Sequence, residues 1–262
     1  MLNVITMVRR HWRVFIRTTA NEIRSRYAGS LLGLFWMVLA PLLLLTIYSV
    51  IYLAVFRVRP ADMTPEHYVL YVLSGLVPFL AFADGIAAGS ASLTTNRAIL
   101  LSTVFPAELV PLRAVMASQA SSLIAMSLCI AAAFALGLGS LALAAVPLVW
   151  FLLLLFIIGV AWVLSLGSLL VKDVQQALGF VNMLLLVASP IAYTVESAPP
   201  ELRLWLRLNP LAHYIEAMHD CIVGGRFPDP EQWAVMLAIS AVALVFGAWL
   251  FARAKRVLFD YA

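Results

Sequence analysis

The stretch that decides the fold runs from Ala114 to Val171 and reads AVMASQASSLIAMSLCIAAAFALGLGSLALAAVPLVWFLLLLFIIGVAWVLSLGSLLV. None of its 58 residues is charged. As one helix it would be about 87 Å long, roughly three times the hydrocarbon thickness of a bilayer. The chain must therefore cross a membrane here, turn and cross back. This stretch predicts an integral membrane protein with a helical hairpin at its centre.

The composition of the whole chain supports the same conclusion. Only 30 of the 262 residues are charged, and 64% are hydrophobic, against about half in soluble proteins. The hydrophobic windows leave no room for a separate globular unit, so residues 1–262 are predicted to form a single domain. The net charge of +4 comes from basic residues at the predicted membrane edges, which argues against nucleic acid as a partner.

Charge-free windows divide the chain into six predicted transmembrane helices. Each window reaches the ~20 residues that a helix needs to cross a bilayer. Because lipid cannot hydrogen-bond the backbone, these spans are expected to be helices rather than strands. The predicted spans are residues 30–56, 67–95, 112–136, 146–171, 174–195 and 232–252. The expected fold class is all-α.

The distribution of lysine and arginine predicts the orientation. Six crossings place both termini on one side, and the segments on that side hold 12 of the 17 basic residues. Positively charged loops remain in the cytoplasm. Both termini are therefore predicted to be cytoplasmic, in a multi-pass membrane protein.

Residues 1–27 precede the first span and show helical amphipathicity. Trp12 belongs to an apolar stripe, whereas Arg9 and Arg13 lie on the opposite side. This pattern is typical of a helix lying in the cytoplasmic membrane interface. The helix could serve only as a topology anchor or could also dock a cytoplasmic partner.

Two loops show more order than a simple connection requires. Residues 97–106, after the potential cap Asn96, could form a short cytoplasmic helix that ends at Pro106 and fits a groove on another protein, or an ordinary loop. Residues 199–223 predict two short external helices, separated by an N-cap and a proline at Asn209-Pro210. These helices could be re-entrant and gate a pore, or could be surface anchors.

Several kinds of chemistry are missing or weakly indicated. Neither Lys172 nor Lys255 follows the glycines of a P-loop, so the chain is not expected to hydrolyse ATP. One face of the second external helix carries three potential zinc ligands, but an ordinary wet helix face is the more common explanation. Asp84 lies within a span, where it could line a wet pathway or pair with Ser90 or Asn182.

An ordered set of motifs resembles the ABC-2 type permeases of polysaccharide export, a family that includes O-antigen, capsule and teichoic acid exporters. The first motif, leading to Pro41, is Arg26-Tyr27-x-x-Ser30-x-x-Gly33-x-x-Trp36. The others are Asn96 followed by Phe105-Pro106-x-Glu108 and Pro111, Lys172-Asp173 where the family has Arg-Asp, Ser189-Pro190, and Asn209-Pro210-Leu211. Together these motifs span most of the chain.

The resemblance implies an exporter made of two copies of this chain and two copies of a separate cytoplasmic ATPase, which binds ATP and Mg²⁺. No catalytic residue, metal or cofactor is expected in this chain itself. The expected substrate is a lipid-linked polysaccharide, and the expected location is a bacterial inner membrane, whose lipids surround the dimer. The coupling helix of residues 97–106 would meet the ATPase through Asn96, Arg97, Leu100, Phe105, Pro106 and Glu108.

The same resemblance implies roles for three further groups of residues. The N-terminal interface helix would act through Arg9, Trp12, Arg13, Arg26 and Tyr27. Aromatic and polar side chains of the first two spans are candidates to line a channel: Trp36, Tyr48, Tyr52, Phe56 and Asp84. The external helices would gate that channel through Trp205, Asn209, Pro210 and Tyr214.

Three functions remain open at this point. The first is export of a lipid-linked polymer of the O-antigen type, with a capsular or teichoic polymer as a close alternative. The second is an ABC-2 permease for a small hydrophobic drug, and the third is a membrane enzyme or proton-coupled carrier. Asp84 is the only deep ionisable residue, whereas carriers and membrane enzymes usually use paired ones.

Overall fold

The computed structural model describes residues 2–51, 63–96, 106–171 and 173–260, and every regular element in these ranges is helical. This result confirms the all-α fold class. The described α-helices are α1 (Leu2–Arg26), α2 (Trp36–Val50), α3 (Pro65–Thr95), α4 (Leu109–Ala135), α5 (Val146–Leu170), α6 (Asp173–Ala188), α7 (Pro200–Leu208), α8 (Pro210–Ile222) and α9 (Pro230–Asp260). Single 3₁₀ turns occupy Gly33–Phe35, Leu141–Ala145 and Val195–Ser197.

Five helical segments in the described part of the chain are long and apolar enough to cross a membrane. They are Gly33–Val50, Pro65–Thr95, Leu109–Ala135, Leu141–Leu170 and Pro230–Ala254. These segments correspond to five of the six predicted spans. The predicted first span continues to Phe56, and its last residues, including Tyr52, lie outside the described ranges.

The predicted fifth span is shorter than expected. Helix α6 ends at Ala188 instead of reaching Val195, so its 16 residues cover only about 24 Å. Pro190 explains the early end, because a proline ring disfavours helical backbone in the residue before it and offers no N–H of its own. The chain then runs without regular structure until the turn at Val195–Ser197.

Helix α3 forms the centre of the bundle. In its most apolar window 83% of the residues are buried, compared with 11% in the window that contains α2 and 22% in α9. It packs along both α4 and α5 and also contacts α8. Small residues permit this close packing, since a Cβ atom on Gly89 would collide with Ala161 and Val115. Helices α2 and α9 therefore lie at the periphery.

The backbones of α5 and α9 touch directly where the two helices cross. A Cβ atom on Gly159 would overlap the backbone of Ala243 and Leu244, and one on Gly247 would overlap the backbone of Gly159. Lipid gives no hydrophobic driving force for helix association, so such backbone contact between small residues contributes much of the attraction.

The bundle has two ends that carry different elements. One end of the bundle, which we call the α1 end because α1 packs there, contains the C-termini of α3 and α5 and the N-termini of α4 and α6. Side-chain hydrogen bonds join these helix ends to each other. The α8 end holds the N-termini of α3 and α9 together with α7 and α8. There Tyr68 and Tyr71 donate to the backbone carbonyls of Ala192 and Tyr193.

The crossing of α5 and α9 leads to a stability prediction. Gly159→Ala should lower the free energy of unfolding by about 1–3 kcal/mol, because the new methyl group must displace backbone atoms of α9. Gly167→Ala on the same helix is the matched control, since its Cβ would meet only Val174 at 3.7 Å. Equilibrium unfolding in detergent micelles measures both variants, and equal stability would contradict the crossing.

Candidate coupling and gating surfaces

The predicted amphipathic N-terminal helix is confirmed as α1, Leu2–Arg26. Its apolar residues Trp12 and Ile16 are about half exposed, at 52% and 54%, and the guanidinium of Arg13 lies over the Trp12 ring. An exposed apolar stripe next to arginines is what a helix lying on a membrane surface requires. Arg9 belongs to the same helix.

The C-terminal end of α1 is attached to α4 by polar contacts. The carboxylate of Glu22 forms an ion pair with Arg113 at 3.0 Å. Arg26 donates to the Ala114 carbonyl at 3.5 Å, and the hydroxyl groups of Tyr27 and Ser121 are 3.0 Å apart. Arg26 and Tyr27, which were predicted to belong to the interface helix, thus fix that helix against the bundle.

The predicted coupling residues lie partly outside the described ranges. Arg97, Leu100 and Phe105 fall in residues 97–105, which the structure does not describe. The structure describes the residues at both ends of this segment. Asn96 follows the last turn of α3, and its N–H donates to the Ser92 carbonyl.

The segment that begins the next helix is also ordered by backbone contacts. The carbonyl of Pro106 accepts from the N–H of Leu109 at 3.0 Å, which starts α4. Glu108 is the residue before that helix, and its carbonyl accepts a hydrogen bond from the Trp162 indole at 3.0 Å. Helix α4 begins at Leu109 rather than at the predicted residue 112, because a proline such as Pro111 fits readily into a first turn.

At the α8 end, the predicted pair of short helices is confirmed as α7 and α8. The Asn209 side chain caps α8 by accepting from the Leu211 N–H at 3.0 Å, and Pro210 occupies the first helical position. The Asn209 amide also donates to the Ser189 hydroxyl at 2.9 Å. Two motifs distant in sequence, Ser189-Pro190 and Asn209-Pro210, therefore meet.

Helix α8 is anchored in the core by Tyr214. The tyrosine is fully buried, and its hydroxyl lies 2.7 Å from the Ser240 hydroxyl and 3.2 Å from the Met236 carbonyl oxygen. Burial raises the pKa of Tyr214 to about 12. Ser240 in turn donates to the Leu152 carbonyl of α5 at 2.8 Å. This chain of hydrogen bonds joins α8, α9 and α5.

His219 is the second buried polar residue of α8. Its ring lies against Tyr71, with the ring centroids 3.8 Å apart, and its Nε2 fits against Gly75, where a Cβ atom would collide with it. Nε2 has no hydrogen-bond partner among the described residues. Because burial penalises the charged form, the pKa of His219 falls from 6.5 to about 3.

Helix α7 differs from α8 in exposure. Trp205 is 71% exposed, whereas Leu206 is buried against Val195 and Ala198. The Arg203 guanidinium donates to the Ala198 carbonyl at 3.0 Å. Of the four residues predicted for the external gate, Asn209 and Tyr214 are therefore buried in the fold, while the Trp205 ring projects outward.

A cavity of about 860 Å³ opens at the α8 end. Its lining includes the three potential zinc ligands His213, Glu216 and Asp220. The Asp220 carboxylate pairs with Arg226 at 2.8 Å, and the His213 ring contacts the Arg207 carbonyl. No group of three or more such ligands within holding distance of an ion occurs in the part of the chain that the structure describes.

The described channel candidates occupy two regions. Trp36 and Tyr48 are half-buried near opposite ends of α2, and Asp84 is exposed on α3. Among the described residues Asp84 makes no hydrogen bond or ion pair, so of the two alternatives given for it, the pairing with Ser90 or Asn182 is not observed there.

A comparison with known families identifies the architecture. The family model described as "ABC-2 type transporter" matches residues 13–223. The chain belongs to the ABC-2 type transporter family. The match begins within α1 and ends just after α8, so both the interface helix and the two short helices lie inside this ABC-2 region.

Curated relatives of this ABC-2 protein resemble it along nearly their whole length. An O-antigen export system permease protein RfbA from Myxococcus xanthus is 23% identical over 247 residues, covering 93% of each chain. Two proteins of the same name from Klebsiella pneumoniae are 27% and 26% identical over 239 residues, covering 90% of each chain.

Two residues of this ABC-2 protein were missed as functional candidates. Glu22 and Arg113 hold the α1 end together, yet the sequence pattern marks them only as part of a polar face and as the last charge before an apolar run. The sequence does distinguish Glu22, because it is the only acidic residue before Asp62 and lies among six arginines. A single acid in a basic helix indicates a specific ion pair.

The buried His219 predicts acid sensitivity of the α8 end. The folded protein keeps the ring neutral, whereas the unfolded chain takes up a proton below about pH 6.5, so stability should fall as the pH decreases from 6.5 towards 3. The melting temperature in detergent between about pH 7.5 and about pH 5 measures this loss. The His219→Gln variant should lose part of the dependence, and an unchanged pH profile would contradict the prediction.

Proposed function

We propose that this chain is the membrane subunit of an ABC exporter that moves a lipid-linked polysaccharide of the O-antigen type out of the bacterial cytoplasm. A separate ATPase subunit provides the energy. The observation that carries the proposal is the similarity, over 90–93% of the chain, to permeases named for O-antigen export. A permease for a small drug or a proton-coupled carrier lacks comparable support.

The need for a partner ATPase follows from the missing P-loop. The chain has no glycine-rich phosphate loop before either of its lysines. ABC transport requires ATP hydrolysis, so the ATP and Mg²⁺ sites belong to two copies of a partner chain. Residues 97–106 are the proposed contact with that partner, because they connect α3 and α4 at the α1 end.

The orientation in the membrane follows from charge. The α1 end contains most of the lysine and arginine residues, and such segments stay in the cytoplasm. With the α1 end inside, α7 and α8 face the external surface. Trp205 then lies at the outer interface, a common position for tryptophan in membrane proteins.

Dimerisation is supported by the short helix α6. With 16 residues it does not span the hydrocarbon layer, and the chain continues without regular structure after Ala188. Irregular backbone at membrane depth requires protein or a water-filled cavity beside it. The outward side chains of α6, such as Phe180 and Met183, are more than two-thirds exposed in the single chain. A second copy would cover this surface and enclose a channel between the two chains.

Disruption of the proposed coupling segment tests this function. Replacement of Phe105 and Pro106 by alanine should abolish polysaccharide export, because the partner ATPase would lose its contact with the membrane subunit. Surface polysaccharide is measured by immunoblot in a strain whose own copy of the gene is deleted. Size-exclusion chromatography should still show the dimer.

Phe227 provides a matched control at the α8 end. It also precedes a proline and is exposed, so Phe227→Ala removes a similar side chain without touching the coupling segment. This variant should export normally. Full export by the Phe105 and Pro106 variant, or failure of the wild-type chain to co-purify with any ATPase, would contradict the proposed function.

A further inference from the structure

The two ends of the proposed coupling segment are joined by one side chain. Arg113 lies in the second turn of α4, and its guanidinium contacts Asn96 at the end of α3 and Glu22 on α1. We propose that Arg113 is a positioning residue that holds α1 and both ends of the coupling segment as one unit, so that motion of the ATPase reaches the membrane helices. This inference rests on the proposed function.

Arg113 of α4 contacts two side chains at once, one on α1 and one at the end of α3. Its Nη2 atom lies 3.0 Å from Glu22 Oε2 and 3.1 Å from Asn96 Oδ1. The side chains of Arg113 and Glu22 are only 12% and 26% exposed, so water screens this pair less than a surface ion pair. Water therefore competes little with the Glu22 carboxylate and the Asn96 amide oxygen for the Arg113 guanidinium.

Asn96 is itself fixed in the orientation that suits Arg113. Its Nδ2 donates to the Ser92 carbonyl at 2.8 Å, which turns Oδ1 towards the guanidinium. Residue 96 follows the C-terminus of α3, where unpaired carbonyls favour a nearby positive charge. Arg113 of α4 thus places a positive charge beside the C-terminus of α3.

Two further contacts connect the same region to the rest of the bundle. The Trp162 indole on α5 donates to the Glu108 carbonyl, and Gln175 on α6 donates to the Thr94 hydroxyl at 3.2 Å. The residues on each side of the segment are therefore held to α5 and α6 as well as to each other. A displacement of the segment must move these helix ends or break their hydrogen bonds.

Loss of Arg113 should weaken the coupling of ATP hydrolysis to export without preventing the chain from folding. The apolar packing of α3 on α4 and α5, including the fit at Gly89, does not involve the guanidinium. Glu22 would lose its cation, and α1 would keep only its other contacts with α4. We expect the Arg113→Gln complex to assemble and hydrolyse ATP but to export about tenfold less polymer per ATP, a typical coupling effect.

The experiment uses the whole complex of permease and ATPase in inverted membrane vesicles that carry the strain's own lipid-linked polysaccharide. ATP hydrolysis and polymer moved into the vesicles are measured for wild type, Arg113→Gln, Glu22→Gln and Arg113→Lys, which keeps a positive charge beside both oxygen acceptors. Arg24→Gln is the matched control, because it removes an exposed arginine of the same region. The control should behave as wild type, and Arg113→Lys should keep most of the export that Arg113→Gln loses.

The outcomes distinguish a failure of the positioning role of Arg113 from a failure of the proposed function. Normal export per ATP in both Arg113→Gln and Glu22→Gln would overturn the positioning role, as would export by Arg113→Lys no better than by Arg113→Gln. If Arg113→Gln does not accumulate in the membrane, Glu22→Gln alone decides, since it removes only the charge on α1. Absence of ATP-dependent export in the wild-type vesicles would instead refute the proposed function.

Discussion

Direct backbone contact between helices is the constraint on which the packing of this bundle depends. In water, burial of leucine and valine would drive the helices together, but lipid chains are as apolar as these side chains. Association must instead come from close packing and from polar contacts. Gly159 and Gly247 allow α5 and α9 to touch, and Gly89 allows α3 to approach α5. The least bulky residues of the chain thus determine where the bulky ones can pack.

Polar contacts complement this packing at the two ends of the bundle. At the α1 end an ion pair and an amide join three helices through Arg113. At the α8 end Tyr214 and Ser240 join three helices without any charge. The difference has a physical reason, since the Arg113 guanidinium is paired with a carboxylate, whereas a fully buried group without a partner charge must be neutral or pay a large desolvation cost.

The sequence alone predicts much of the architecture because membrane helices follow simple rules. The charge-free run from Ala114 to Val171 indicates the α4–α5 hairpin, and Asn209-Pro210 indicates the start of α8. The end of α6 was predicted too far along, because hydrophobicity does not report that Pro190 ends a helix earlier. Local patterns also cannot reveal contacts such as Glu22 with Arg113, which depend on the packing of distant segments.

The predicted site residues also differ in whether local sequence or distant packing determines their position. Asn209 caps α8 as its local sequence indicates, since a cap involves only neighbouring residues. Tyr214 was grouped with Trp205 as a gate residue because both lie on amphipathic helices, yet one is buried and the other is exposed. Amphipathicity shows which face is apolar, but it does not show whether that face meets protein, lipid or another copy.

The distribution of contacts also determines which helices can move at low cost. Helices α1, α3 and α4 are joined by hydrogen bonds and an ion pair, and α5, α8 and α9 are joined through Ser240. Helix α2 is largely exposed, and α6 has a single buried residue, Leu178, among those described. Few buried contacts mean a low free energy of displacement. Displacement of α2 or α6 against the other helices therefore breaks few contacts within one subunit, and Gln175 connects α6 to the end of α3 beside the coupling segment.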